Sequence, residues 1–383
     1  MKKNYKICSK GVWDTTVPGV TFDKDGVSNY CRMFEKYKYQ YPRGEKGKQD
    51  WLEFLKEIKK SKGNKKYDCI IGVSGGTDSS YLLHLAKENG LNPLAVNLDN
   101  GWSSDIAVKN IKKVTSKLDI DLETYVVDYE EMKDILKSYI KASLPWIDFP
   151  TDHAIKSILY KTAKREGIKY ILIGQDFRSE GTQPREWTYG DSKQVKFIQK
   201  NFGDKKLKTY PNISFFSHLY LTYISKIKMI YPFFFIDYNK EDAKKMLIEK
   251  YDWEYYGGHH YENIFTKFAI SFWLYEKFNI DKRIITLSAQ VMSNIISRED
   301  AINQLKKKPY NIGEIDDMKN YLIKKLGFTE QEFELCIKKE NKSFLDYPSS
   351  YGLVLRIAKF VKPILVRVMP QLPSFFIQLE ERK

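Results

Sequence analysis

Asp68-Cys-Ile-Ile-Gly-Val73 runs directly into Ser74-Gly-Gly-Thr-Asp-Ser-Ser80, and an amphipathic stretch follows from Ser80 to Asn89, closed by Gly90. A short, wholly apolar run reads as a buried strand, and the stretch after the glycines as a helix. The same alternation repeats downstream. Asn92–Leu98, Leu122–Val127 and Lys169–Gly174 read as strands. Asp105–Leu118, Glu130–Ala142 and Thr151–Glu166 read as helices, the last stopped by Gly167. Apolar strands separated by helices predict a parallel sheet covered on both faces, joined by right-handed crossovers. The expected fold is therefore α/β, a doubly wound parallel sheet.

Upstream, Trp51, Leu52, Leu55 and Ile58 form one stripe of a helix over residues 48–62, ended by Gly63-Asn64. Residues 1–47 are turn-rich. Beyond Gly181 the alternation stops: 181–236 reads as an irregular, aromatic-rich insertion, and Asn239–Tyr251, Asn263–Phe278 and Arg298–Leu305 as helices. The stretch Ile213–Ile236 is apolar but broken by His218, Lys226 and Lys228, which favours a buried segment over a membrane span. Four regions follow: an N-terminal ribbon-like segment (1–47), the α/β domain (48–180), an insertion and helical substrate or partner region (181–310), and a helical tail (311–383).

The chain has 383 residues, and an apolar content of 42% is that of a packed globular protein rather than a disordered one. Sixty-four basic against 49 acidic residues give +15, a surplus that attracts anions without choosing among them. The four cysteines form no dense disulfide pattern, and the N-terminus has no secretory apolar core, so a cytoplasmic protein is expected.

Gly75 and Gly76 let the backbone turn sharply and approach a ligand. Free amides at the start of the next helix, with its dipole, favour an anion there, and Ser74, Thr77, Ser79 and Ser80 add hydroxyl donors. The segment is a polyphosphate site without the Gly-Lys-Ser/Thr of the Walker loop or the Gly-x-Gly-x-x-Gly of dinucleotide folds. Ligands of doubly wound sheets sit at the carboxyl ends of the strands. Asp99 and Asn100 emerge there from the second strand; Gly174, Asp176, Arg178 and Glu180 follow the fourth. A carboxylate can hold Mg²⁺ and Arg178 can meet a phosphate or sugar carboxylate.

The loop resembles the signature of the ATP pyrophosphatase (PP-loop) family. That likeness implies that it holds the β and γ phosphates of ATP, which leave as magnesium pyrophosphate, and that the second strand's end contacts adenine. More narrowly, Val12–Thr15, Phe22–Val27, Asn97–Trp102, Pro150–Ile155, Tyr255–Glu262, Phe265–Phe268, Phe278–Arg283 and Ser297–Ala301 resemble the N-acetyl sugar amidotransferases of bacterial surface-polysaccharide and nonulosonic-acid biosynthesis. The resemblance implies conversion of an acetamido group on a nucleotide- or lipid-linked sugar to an acetamidine, through adenylation of the amide oxygen and attack by ammonia. It also implies a separate glutaminase, paired with a cyclase-like barrel subunit, as the ammonia source. Ser74, Asp78, Glu180 and Lys267 are then the expected catalytic groups. Ser74, Gly75, Gly76, Thr77, Asp78, Ser79, Ser80, Asp99 and Gly174 are expected to hold ATP. Arg178, His259, His260, Glu262 and Arg283 are expected to hold the sugar, and Asp78, Asp176 or Glu180 to hold Mg²⁺. The family usually has Lys where His259 stands and Ser where Asn263 stands. His153 reads equally as a satisfied structural histidine.

The family often begins with two C-x-x-C pairs; here Cys8 and Cys31 stand with Gly11 and Ser28 in the paired positions. Two thiolates do not close a structural zinc site, so no zinc is expected, with Trp13, Phe22 and Tyr30 packing the segment and Cys8 near Cys31. The basic amphipathic tail over 345–383 either docks on protein or lies on an anionic membrane. The rival readings are a tRNA-modifying enzyme (a thiolase, or a lysidine-type ligase) using the same loop, and a non-catalytic nucleotide-binding module. Cys69 and Cys336 form no thiolase motif, and no nucleic-acid substrate is expected.

Overall fold

The computed structural model describes residues 5–258, 261–368 and 376–377. Five parallel strands form one sheet in the order β3-β2-β1-β4-β5: β1 (Cys69–Gly72), β2 (Pro93–Asp99), β3 (Leu122–Val126), β4 (Tyr170–Leu172) and β5 (Lys228–Ile230). β1 lies at the centre, paired with β2 and β4. Successive residues of β1 enter opposite cores. Ile70 joins the layer under helices Tyr129–Lys141 and Phe149–Arg165, while Cys69 and Ile71 join the layer under helices Glu45–Lys62, Thr77–Glu88 and Asp105–Lys117. Both faces of this strand are dry, which is why it reads as a continuous apolar run.

The doubly wound sheet agrees with the sequence reading, with one addition. β5 lies inside the segment expected to be irregular and buried. Helix Phe215–Leu219 and a π-helical turn Tyr220–Ile224 precede it, and this first half leaves Phe216 and Ile224 each 70% exposed. The second half, from Ile227 to Phe235, turns apolar side chains into the cores. Among the described residues no helix is long and apolar enough to cross a membrane.

In the N-terminal segment, isolated bridges Ile7–Asp14 and Phe22–Ser28 lead into helix Asn29–Gln40, and Trp13 stacks on Tyr30 at 4.4 Å between ring centroids. The thiols of Cys8 and Cys31 lie 3.4 Å apart. The amides of Gly11 and Ser28 both donate to Cys8 Sγ, and Ser28 Oγ accepts from the Cys31 amide as the cap of that helix.

Candidate active site

A cavity of about 380 Å³ opens at the carboxyl ends of β1, β2 and β4, where a doubly wound sheet offers its ligand crevice. Its floor is Ser74, Gly76, Asp78 and Ser79. Gly75 makes the turn: its φ is +79°, and a Cβ there would lie 2.2 Å from the Ala107 carbonyl oxygen. Trp253 Nε1 and Asn110 Nδ2 donate to the Gly75 carbonyl, at 3.1 and 3.4 Å, holding that oxygen on the far side of the loop. Gly76 caps helix Thr77–Glu88 with no side-chain hydrogen bond. The loop amides make only long contacts: Ser74 N to Ser79 Oγ, Gly76 N to Ser74 Oγ and Thr77 N to Tyr256 OH, each 3.3 Å. Such donors at a helix N-terminus suit phosphate oxygens. Gly174 closes the wall beside them; a Cβ there would meet the Asp78 carbonyl at 2.7 Å.

Asp78 is engaged before any ligand arrives. Its Oδ1 accepts from Tyr238 OH, and its Oδ2 from Lys240 Nζ at 2.6 Å. Burial works against the Lys240 charge, but Asp78 and Glu180 outweigh it and hold the amine protonated. Lys240 lines the cavity and was invisible to the motif reading, because it stands 162 residues from its partner.

The roof comes from later in the chain. Ser104 N donates to the Glu262 carbonyl, Ser103 and Asn263 form a bridge, and Ile264 N donates to the Trp102 carbonyl. Fully buried Trp102 packs on Phe265, 5.2 Å between centroids. This seam carries Glu262, Asn263 and Thr266 to the mouth above Val96, Asn97, Leu98 and Asn100. Trp146, Asp148, Asp152, Glu180 and Lys282 line the same cavity, with Asp148 joined to Thr266 through its Oδ2. Burial, with the Asp152 charge second, raises the Asp148 carboxyl above the usual carboxylate range. Burial lowers Lys282 to about 8.

Several expected site residues stand elsewhere. Arg178 does not reach the cavity: its guanidinium donates to the carbonyls of Phe234 (3.0 Å) and Tyr41 (2.5 Å) and stacks on Phe177. Asp176 pairs with Arg43 and accepts from the Arg178 amide, which removes it from the Mg²⁺ candidates. Arg283 grips Asp281 and the carbonyls of Gln304 and Lys307, while its neighbour Lys282 faces the cavity. Lys267 is ion-paired with Glu314 in a separate surface depression. The Asp99 carboxylate accepts from the Gly101 amide and closes its own turn. The Thr77 and Ser80 side chains are buried behind the loop, and Gly75 packs on Ala107. His153 is buried on Asn212. His259 and His260 lie outside the described residues. Ser74, Gly76, Asp78, Ser79, Gly174, Glu180 and Glu262 do converge on the cavity. Mg²⁺ in nucleotide sites takes one or two carboxylates and completes its shell with phosphate and water oxygens. Glu180 supplies that donor type in the cavity, whereas the oxygens of Asp78 are taken by Tyr238 and Lys240, which removes Asp78 from the Mg²⁺ candidates as well.

The decisive observation is where the roof begins. Residues 262–362 match the family model "LPS biosynthesis protein WbpG-like, C-terminal domain". The WbpG-like region thus contributes Glu262, Asn263, Thr266, Lys282, Ile285 and Thr286 to the same cavity as the phosphate loop. Over a longer span the chain is similar to an uncharacterised protein of Methanocaldococcus jannaschii, 27% identical and covering 72% of this chain and 84% of that one. A tRNA(Ile)-lysidine synthase of Chlamydia pneumoniae is 33% identical over 67 residues, 17% of this chain and 21% of that one. Among solved structures, the U34-tRNA thiolase NcsA of Methanococcus maripaludis with its [4Fe-4S] cluster aligns with 68% of this chain and 81% of its own, at 16% identity and a TM-score of 0.32.

The buried arginine gives a first prediction. Arg178→Lys removes two charge-assisted bonds to carbonyls in a site that is 6% exposed. A lysine cannot span both acceptors as the planar fork does. Denaturant unfolding is expected to show a loss of about 2–3 kcal/mol, with the KM for ATP unchanged. A raised KM at full stability would return Arg178 to the site.

Proposed function

We propose that this chain is an ATP-dependent sugar amidotransferase. It adenylates the amide oxygen of an acetamido group on a nucleotide- or lipid-linked sugar, then lets ammonia displace AMP to give an acetamidine. One observation supports this above the others: a polyphosphate loop and a region similar to a lipopolysaccharide-biosynthesis domain wall the same cavity. The chemistry explains why such a site needs ATP. An amide oxygen is a poor leaving group, and transfer of AMP to it makes a good one. Holding both reactants together contributes about 7–11 kcal/mol of barrier lowering, and loop amides aimed at phosphate stabilise the departing pyrophosphate.

In this reading ATP lies with its phosphates on Ser74–Ser79 and its adenine toward Val96–Leu98, and the sugar enters under Glu262; Glu180 is the carboxylate that would hold Mg²⁺, which when bound would neutralise phosphate charge. Ammonia comes from a separate glutaminase with its cyclase-like partner. The tail helix Tyr351–Val368, with Phe360 88% exposed, brings the enzyme to an anionic membrane face where lipid-linked sugars reside.

The test is pyrophosphate release from ATP with ammonium salts and a panel of nucleotide-linked acetamido sugars, with bulk tRNA in a parallel arm. Release that requires an acetamido sugar is expected. Release with tRNA alone would favour the lysidine-synthase-like alternative, and ATP binding without release in either arm a non-catalytic module.

A further inference from the structure

The cavity also holds a buried lysine and carboxylate that the phosphate loop does not engage. Lys282 is 9% exposed and lines the cavity, with its amine 4.2 Å over the ring of Trp146. Among the described residues its side-chain amine makes no ion pair or hydrogen bond. This contrasts with Lys240, locked on Asp78, and with Arg283, locked on Asp281. Trp146 is itself fixed, its Nε1 donating to Asp152 Oδ2 at 2.7 Å. Beside them Asp148, 1% exposed, accepts from Thr266 Oγ1 through Oδ2, while its Oδ1 is buried with no partner. The charged groups facing Lys282 are Asp148, Asp152 and Glu180.

We propose that Lys282 is the general base of the second half-reaction, with Asp148 as the acceptor that takes its proton onward. The inference rests on the amidotransferase reading above. Ammonia attacks the adenylated carbon and a C–N bond forms, leaving an NH₃⁺ group on a tetrahedral centre. The neutral Lys282 amine takes one proton from that nitrogen. The nitrogen lone pair then expels AMP, which leaves with the electrons of the C–O bond, and the product is the amidinium. Lys282, now an ammonium, passes its proton to the free oxygen of Asp148.

The choice of base follows from matching. A proton on an alkylammonium-like nitrogen is removed poorly by an ordinary carboxylate, and a base whose pKa lies near the working pH is the efficient one. Burial brings Lys282 to about 8, so both of its forms are populated near neutral pH. Trp146 fixes where the amine sits, and the three carboxylates keep its charged form from being expelled.

The experiment uses the full-length protein, ammonium as nitrogen donor and the acetamido sugar that supports wild-type turnover. It measures sugar-dependent ATP–pyrophosphate exchange for the first half-reaction and amidine formation for the second. Both are followed over about pH 6–9 at constant free ammonia, so that ammonia's own titration drops out. Wild-type amidine formation rises with pH and levels off above about 8, where Lys282 becomes neutral. In Lys282→Met the ratio of amidine formation to exchange falls about 10²–10⁴-fold, the loss of one general base, and the rise with pH disappears. Lys282→Arg, which keeps the charge and never becomes neutral, falls as far. Recovery of the ratio in Lys282→Arg would overturn the proposal in favour of a cation contact. So would parallel loss of exchange and amidine formation. A wild type that shows no exchange with any acetamido sugar overturns the amidotransferase reading itself, before any variant is made.

Discussion

Gly75→Ala is expected to lower kcat/KM for pyrophosphate release about 10²–10³-fold, the cost of displacing preorganised donors from a developing anion. Two causes act together. The residue sits at φ +79°, where a side chain is strained by about 1–3 kcal/mol. Its Cβ would also stand 2.2 Å from the Ala107 carbonyl oxygen, which belongs to helix backbone and cannot rotate aside. The loop must therefore shift, carrying the Gly76 and Thr77 amides off the phosphate positions. Gly352→Ala is the control, because nothing lies within 4 Å of a Cβ there. Steady-state pyrophosphate release and a thermal melt on both variants check this. Unchanged turnover in Gly75→Ala would mean that the loop does not hold the phosphates.

Lys240→Met is expected to have the second-largest effect. It leaves Asp78 with the Tyr238 hydroxyl but without its cation, so a carboxylate faces the incoming triphosphate uncompensated. The loss of kcat/KM is about 10²–10³-fold, in the range measured for removal of one preorganised electrostatic contact. Stability falls by about 1–3 kcal/mol, because a charge-assisted bond in a partly buried site is broken. Both Asp78 and Lys240 keep some access to solvent, 18% and 24% of their side chains, which places the stability change below that of a fully buried pair. Calorimetric ATP binding and denaturant unfolding report the two parts separately. Undiminished ATP affinity would confine Lys240 to a structural role.

These two residues also mark how far the sequence is legible. The phosphate loop can be read directly because its signal is local: a dry strand, two glycines and a helix start within a dozen residues. The other four strands are equally local. β5 escapes because Lys228-Met-Ile230 opens on an exposed charge, unlike the dry β4, and is recruited by β4 alone, at the sheet edge. Helix Ile264–Phe268 passes into a π-helical run, Ala269–Lys277, which carries no sequence period distinct from an α-helix.

Side-chain assignments failed where the partner is remote. Arg178 reads as a rim cation until the Tyr41 and Phe234 carbonyls, 137 and 56 residues away, claim its fork. Lys282 and Arg283 are adjacent and of one charge, yet the first residue before helix Arg283–Met292 faces the cavity while the first within it turns toward Asp281. Nothing in the sequence separates them; the direction of a helix start does. Glu180 and Glu262 reach the cavity because each follows a backbone turn that the strands and the Trp102 seam anchor.

The most direct test of the central claim follows one oxygen atom. An acetamido sugar labelled with ¹⁸O in its amide carbonyl is turned over with ATP and ammonium, and the products are weighed by mass spectrometry. Adenylation of the amide predicts that the label appears in the phosphate of AMP, one atom per acetamidine formed, and in neither pyrophosphate nor water. Label retained in the sugar, or found in pyrophosphate or orthophosphate while AMP stays unlabelled, would contradict it.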